Sequence, residues 1–226
     1  MAGHTRIFPD RTVAGRELGA ALAARHLTGS LLVLGLPRGG VPVAFEVATA
    51  LGAPLDVMVV RKIGMPGQPE LAVGAIASGG IVVRDPDTLR YMPGDAGSFD
   101  RLVARERVEL ERRERAYRAG RPPLELEGRI VILVDDGIAT GSTMLAAVRA
   151  ARQARAARVI AAAPVSSHEA AALLAKEADE AVFLMVPPAL YAIGQWYELF
   201  NQLEDDEVRR LLALNRPPHP SPPPAQ

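Results

Sequence analysis

The sequence predicts an α/β protein, a parallel sheet with helices on both faces, and three observations carry that prediction. Segments that read as strands alternate with segments that read as helices. The strand segments are nearly continuous runs of Val, Ile and Leu, as in SLLVLGL (30–36), RIVILVD (129–135) and EAVFLMV (180–186), the pattern of strands buried on both sides. The composition is that of a globular chain, with 226 residues, 49% of them hydrophobic and 23% charged.

The elements follow in order. RTVAGRELGAALAARHL (11–27) has the period of an amphipathic helix, with Thr12 as N-cap. SLLVLGL is a buried strand, GVPVAFEVATALG (40–52) a helix with Pro42 in its first turn and Gly52 at its end, and PLDVMVV (54–60) a second strand. RKIGMPGQPE (61–70) is too rich in Gly and Pro for a regular element, and LAVGAIA with IVVRD forms a hairpin around Ser78, Gly79 and Gly80. Residues 99–117 form a long helix dense in Arg and Glu. Pairs such as Arg105 with Glu109 and Glu109 with Arg113 support it, and a thin apolar stripe of Phe99, Val103, Leu110 and Tyr117 pins one edge. That helix is either a solvated face or a partner contact. Strand and helix then alternate through 129–135, 142–154, 157–165, SHEAAALLAKEA and 180–186. PPALYAIGQWYELF breaks the rhythm and gathers four aromatic residues. A helix at 204–215 precedes RPPHPSPPPAQ, whose lack of apolar residues predicts a disordered tail over 216–226.

Composition also excludes. Cysteine is absent and only four histidines are scattered along the chain, so disulfides, thiolate chemistry and a zinc site are not expected. With 26 basic and 26 acidic residues the net charge is zero, which counts against nucleic acid as the main partner. No apolar run approaches the roughly 18 residues of a membrane span. MAGHTRIFPDR lacks the apolar segment of a signal peptide, and a cytoplasmic location is expected. Lys62 and Lys176 are the only lysines, which marks Lys62 for attention.

The chemistry concentrates in IVILVDDGIATGST (130–143), a buried strand that runs into two adjacent acids and a loop of small and hydroxyl residues. Ligands of open α/β sheets bind beyond the carboxyl ends of the strands. Ser142 or Thr143 at a helix start offers unpaired amides and the positive end of the helix dipole to a phosphate, and Gly137 and Gly141 let the backbone curl around it. Asp135 and Asp136 would repel that phosphate and are suited instead to accept hydrogen bonds from a vicinal diol. Together they describe a sugar phosphate. A P-loop needs G-x-x-x-x-G-K-[ST], a haloacid-dehalogenase-like phosphatase needs Asp-x-Asp, and a dinucleotide fold needs G-x-G-x-x-G after a strand. The sequence has none of these in place. The bland alternative is a capped turn with two surface acids.

VILVDDGIATGST resembles the 5-phosphoribosyl-1-pyrophosphate (PRPP) motif of type I phosphoribosyltransferases, over a stretch of similarity from about residue 30 to 203. The whole pattern is most similar to the stand-alone bacterial members of that family. The resemblance implies a Rossmann-like parallel sheet with a small hood and a flexible loop. On it, residues 1–203 form one domain, with the core at about 30–186, the flexible loop at 61–80, and the hood at 187–203 joined by the N-terminal segment. It implies that Asp135 and Asp136 hold the ribose hydroxyls, and that Gly137, Ile138, Ala139, Thr140, Gly141, Ser142 and Thr143 bind the 5-phosphate. LPRGG follows the first sheet strand where the family keeps its pyrophosphate loop, so Pro37, Arg38, Gly39 and Gly40 would face the leaving group. By itself LPRGG reads equally as a tight turn. RKIG resembles the start of the family's closing loop, placing Arg61 and Lys62 on phosphate oxygens, although Lys62 also reads as a surface charge. Glu70 is the candidate acid or base, or else a cap. YAIGQWYELF resembles the hood, with Tyr191 stacking on a base and Ala192 offering main-chain groups, while Trp196 and Tyr197 pack the hood.

One departure stands out. Purine-salvage members carry a lysine after the next strand, where this chain has Ser166, Ser167 and His168. The resemblance implies Mg²⁺ carried on PRPP near Asp135 and Asp136, without dedicated protein ligands. It implies a homodimer, and transfer from PRPP to a nitrogen acceptor, most simply a nucleobase. The alternatives are a PRPP or nucleotide sensor that does not catalyse, and a phosphohydrolase acting on a phosphoribosyl compound.

Overall fold

The computed structural model describes residues 7–95 and 97–215, and the segment expected to be disordered, 216–226, lies outside the described residues. The chain runs α1 Arg11–Ala23, β1 Leu31–Gly35, α2 Gly40–Leu51, β2 Leu55–Val57, β3 Val60–Met65, β4 Gln68–Ala77 and β5 Ile81–Arg84. It continues α3 Pro86–Leu89, α4 Ser98–Arg118, β6 Ile130–Val134, α5 Ser142–Gln153, β7 Arg158–Val165, α6 His168–Glu177, β8 Glu180–Met185 and α7 Asp205–Leu214. No helix among the described residues is long and apolar enough to cross a membrane.

Five of the apolar runs pair as one parallel sheet in the order β2-β1-β6-β7-β8. Strand side chains alternate between faces, and each face packs its own core. Val33, Ile132, Val134 and Ile160 pack with Leu18 and Leu22 of α1, Val43 and Val47 of α2, and Leu211 and Leu212 of α7. Leu32, Leu34, Val131 and Leu133 pack on the other side with Met144, Ala147 and Val148 of α5 and Leu174 of α6. The helix–sheet–helix layering follows from the apolar runs alone.

Three local expectations are corrected. The N-cap of α1 is Asp10, whose Oδ1 accepts from the Val13 amide at 2.8 Å, while Thr12 lies inside the helix. PLDVMVV is not one strand, because β2 ends at Val57 and Val60 opens β3 in a separate antiparallel sheet of order β3-β4-β5. RKIGMPGQPE, expected to be irregular, supplies β3, a tight turn and the start of β4. Pro66 and Gly67 (φ +80°) occupy the two central turn positions, where a fixed φ and then a positive φ suit a type II turn. The disturbance that Gly brings is a register shift on either side of Gly64, which leaves the ladder otherwise intact.

Helix α4 buries the expected stripe of Phe99, Val103, Leu110 and Tyr117. Glu109 binds Arg112 at 2.7 Å and Arg113 at 2.8 Å, so its i,i+4 partner lies on the C-terminal side only. A buried cluster anchors the far end of that helix: Arg118 holds Asp56 of β2 through bonds of 2.9 and 3.0 Å, with Arg121 at 3.6 Å.

Candidate active site

Strands β1, β6 and β7 are neighbours, so the loops leaving their carboxyl ends meet. The β6–α5 loop carries the two acids. Asp135 accepts from the Asp136 amide at 2.9 Å, and the Asp136 side chain lies with the buried residues. Burial first, and then the neighbouring Asp136 charge, push the Asp135 carboxyl well above the usual carboxylate range. Burial also raises Asp136, and a guanidinium beside it pulls the other way.

The β1–α2 loop lies directly against these acids. A Cβ on Gly39 would stand 2.1 Å from Asp136 Oδ2, and one on Gly40 would stand 2.5 Å from the Val134 carbonyl oxygen. Both positions exclude a side chain, which explains the paired glycines better than turn geometry does. The Pro37–Arg38 peptide is cis. Arg38 faces Glu204 and Asp205 across 3.9 and 3.8 Å, loose and solvent-screened contacts.

The phosphate loop is held from behind. Ile138 is buried, its amide donates to Val165 O at 2.9 Å, and its carbonyl accepts from the Ser167 amide at 2.9 Å. Ser167 caps α6 by accepting from Ala170 N at 3.0 Å, and its hydroxyl donates to Ala139 O at 2.7 Å. Of the two serines after β7, Ser167 therefore braces the loop, while the Ser166 hydroxyl donates to the Ser167 carbonyl at 3.1 Å. Among the described residues, the amides of Ala139, Thr140 and Gly141 find no protein acceptor. Thr140 Oγ1 and Ser142 Oγ lie 3.1 Å apart at the head of α5, whose N-cap is Gly141. This is an open nest of donors at a helix N-terminus, suited to an anion. Ile138, counted with the phosphate ligands, contributes neither its amide nor its side chain.

Of the other expected residues, Lys62 reaches the nest, its Nζ 3.5 Å from Ser142 Oγ. Arg61 does not. It points to the other face of β3 and binds Glu106 of α4 at 2.7 and 3.0 Å. Adjacent strand residues face opposite ways, so only one of this pair can serve the site. Glu70 is exposed in β4, close to the Pro66–Gly67 turn that closes the β3–β4 hairpin. Tyr191 is 86% exposed and stacks on no ring among the described residues, and Ala192 O accepts from Gln195 N at 3.3 Å.

The aromatic ring at the acids is Phe200. It stacks on Tyr197 with centroids 5.1 Å apart, and Tyr197 in turn packs on Phe8 at 5.7 Å. The Tyr197 hydroxyl donates to Asp136 O at 2.5 Å, and burial pushes that phenol far above its ordinary range. A cleft of about 410 Å³ opens between the hood and the β1–α2 loop, lined by Arg11, Arg38, Gly39, Asp136, Phe200 and Asn201 among others. Arg11, Phe200 and Ser167 are not among the sequence candidates. Arg11 and Phe200 have no spacing signal, since Arg11 lies 125 positions from its partner Asp136. Ser167 has one, an N-cap serine before HEAAALLAKE.

A family profile described as phosphoribosyl transferase domain matches residues 15–186. The chain belongs to that family. A Mycobacterium tuberculosis H37Rv protein with a provisional phosphoribosyl transferase name is 49% identical over 204 residues, covering 90% of this chain and 46% of that protein. The chain thus spans about half the length of the curated relatives it matches at that identity. The adenine phosphoribosyltransferase of Mycobacterium avium strain 104 is 30% identical over 149 residues, 66% of this chain and 62% of that enzyme. The crystal structure of TT1426 from Thermus thermophilus superposes with a TM-score of 0.85 at 45% identity, covering 93% of this chain and 99% of that one. The five-stranded parallel sheet with helices on both faces is the fold this chain shares with that family.

Proposed function

We propose that this chain transfers the 5-phosphoribosyl group of PRPP to a nitrogen acceptor of the nucleobase type and releases pyrophosphate. The observation that carries the reading is the seating of Asp135 and Asp136 between the Gly39–Gly40 backbone and an open amide nest. Carboxylates there accept the ribose 2- and 3-hydroxyls. The amides of Ala139, Thr140 and Gly141, with the Thr140 and Ser142 hydroxyls, hold the 5-phosphate. Arg38 and Lys62 face the diphosphate.

The C1–O bond breaks with its electron pair leaving on pyrophosphate, the acceptor nitrogen's lone pair forms the C1–N bond, and the nitrogen's proton passes to water. Positive charge grows on the ribose beside the two aspartates, while negative charge grows beside Arg38 and Lys62. Preorganised charge of this kind is usually the largest part of catalysis. Magnesium fits the donors present, which are hard oxygens without a cluster of three or more His, Asp or Glu among the described residues. Asp135 and Asp136 would stand next to an ion carried on the phosphates, and the ion would neutralise charge on the leaving group.

The acceptor binds in the cleft beside Phe200, with Asn201 and Arg38 at its rim. Calorimetric titration of PRPP with and without Mg²⁺, followed by a nucleobase screen for pyrophosphate release, tests the reading. Mg²⁺-dependent binding with release for one base supports it. Binding without release for any acceptor replaces it with a PRPP sensor, and absence of binding overturns it.

A further inference from the structure

Arg11 belongs to no motif of the sequence, yet it reaches the centre of the site. From the first turn of α1 its Nε donates to Asp136 Oδ2 at 2.8 Å, with the two side chains only 11% and 12% exposed. The guanidinium carbon lies 3.8 Å from the centroid of the Phe200 ring, and Nη1 donates to Asn201 O at 2.9 Å. Three contacts therefore hold one plane: a carboxylate at its edge, a ring beneath it and a carbonyl at its far corner. A lysine could not lie flat on the ring or make both hydrogen bonds in that geometry.

The need for such a cation follows from the acids. Two adjacent buried carboxylates resist being charged together, because each loses solvation and repels the other. A diol needs an acceptor, and a protonated carboxyl gives up part of that capacity. The charged and titratable groups facing Asp136 are few. Asp135 from the same loop opposes its charge. Tyr197 from the hood stays neutral and binds the Asp136 carbonyl rather than the carboxylate. Arg38 of the β1–α2 loop lines the same cleft but turns to Glu204 and Asp205. Among the described residues, Arg11 is the cation in contact with the Asp136 carboxylate.

We infer that Arg11 is a positioning residue of the site, a fixed counter-charge that keeps the Asp136 carboxylate charged, oriented and tied to the hood. Its consequence for PRPP rests on the reading of Asp136 as a diol ligand; its action on the carboxylate does not.

The experiment uses the full chain as parent, Arg11→Met and Arg11→Lys. Methionine keeps an apolar stem against Phe200 without the charge, and lysine keeps the charge without the plane. The Asp136 carboxyl carbon is titrated by ¹³C NMR in ligand-free protein, and PRPP with Mg²⁺ is titrated calorimetrically from about pH 5 to 9. In Arg11→Met the Asp136 midpoint moves up by about one unit or more, and PRPP binds about tenfold more weakly at neutral pH, recovering as pH rises. In Arg11→Lys the midpoint stays near the parent value. An unmoved midpoint in Arg11→Met overturns the inference, and so does tighter PRPP binding, which would make the guanidinium a plug. If Arg11→Met does not fold, a rise of a full unit in Arg11→Lys overturns it, since the charge is retained, and a parental midpoint supports it. A shifted midpoint in a protein whose parent form fails to bind PRPP upholds the counter-charge role and sinks the PRPP reading instead.

Discussion

The β6–α5 loop and the hood face each other across one cleft, but they are built in opposite ways. The loop is a single run from Asp135 to Thr143, with its acids, nest and helix start supplied by neighbours in sequence. The hood is sewn from both ends of the described chain: Phe8 N donates to Trp196 O at 2.8 Å, and Glu198 N donates back to Phe8 O at 2.8 Å. A contiguous site fixes which residues meet, because strand and turn geometry leave little choice. A site assembled at long range depends on packing that no local pattern encodes.

The sharpest break of the contiguous side is Gly39→Ala. Its Cβ would enter the Asp136 carboxylate, so PRPP binding is expected to disappear, and stability to fall by about 1–3 kcal/mol as in other overpacked cores. Parental PRPP affinity in a folded Gly39→Ala would show that the two loops do not form one site. Asp136→Asn should come next, with PRPP binding and turnover reduced at least about tenfold. Calorimetry and pyrophosphate release measure both, and unchanged binding would remove the diol assignment.

The hood is probed by a pair of aromatic substitutions. Phe200, covered by Tyr197 and Arg11, offers the cleft only its edge. Phe200→Leu should therefore raise the acceptor KM by about five- to tenfold through that edge and the loosened Arg11, while Tyr191→Leu should change it less than about twofold. The reverse order would restore Tyr191 as the stacking ring. The smallest effect is on stability. Asp135 is raised in the folded state, so its contribution is fully present below the unfolded value near pH 4 and is lost as pH rises through the folded value. Asp135→Asn should therefore melt about 2–4 °C higher than the parent at neutral pH, near 1 kcal/mol for a domain of this size. The difference should vanish below about pH 4. A gap that persists at low pH would rule out titration as its origin. The acid would then be like many functional groups, kept at the expense of stability.

Legibility follows the same division. The parallel sheet, the helix order, the acid pair and the glycine–arginine turn are readable because apolar period and turn chemistry act over a few residues. The β3–β4 hairpin escapes a linear reading because Pro66–Gly67, a tight turn between two strands, resembles a breaker of structure. A motif lists Arg61 and Lys62 in a line, whereas a strand sends neighbours to opposite faces. Tyr191 and Phe200 stand in one aromatic run, and only the Tyr197 anchor on Asp136 O decides which ring reaches the acids. Arg11 is silent, since a helix-opening arginine has an ordinary place at the surface.

The strap between Phe8–Pro9 and Trp196–Leu199 has one more consequence, in time rather than in space. It consists of a few backbone bonds, with Leu199 N to Pro9 O at 3.0 Å the outermost, and it borders a small apolar cluster of Phe8, Ala14 and Tyr197 instead of either main core. Segments with few buried contacts open with less free energy than the whole molecule. The amides of Glu198 and Leu199 should exchange with solvent deuterium well before those of β6 or β7, and together with each other. Warming would then dissolve the hood while the sheet still holds its two acids in place, so binding capacity would fade at a lower temperature than the fold itself.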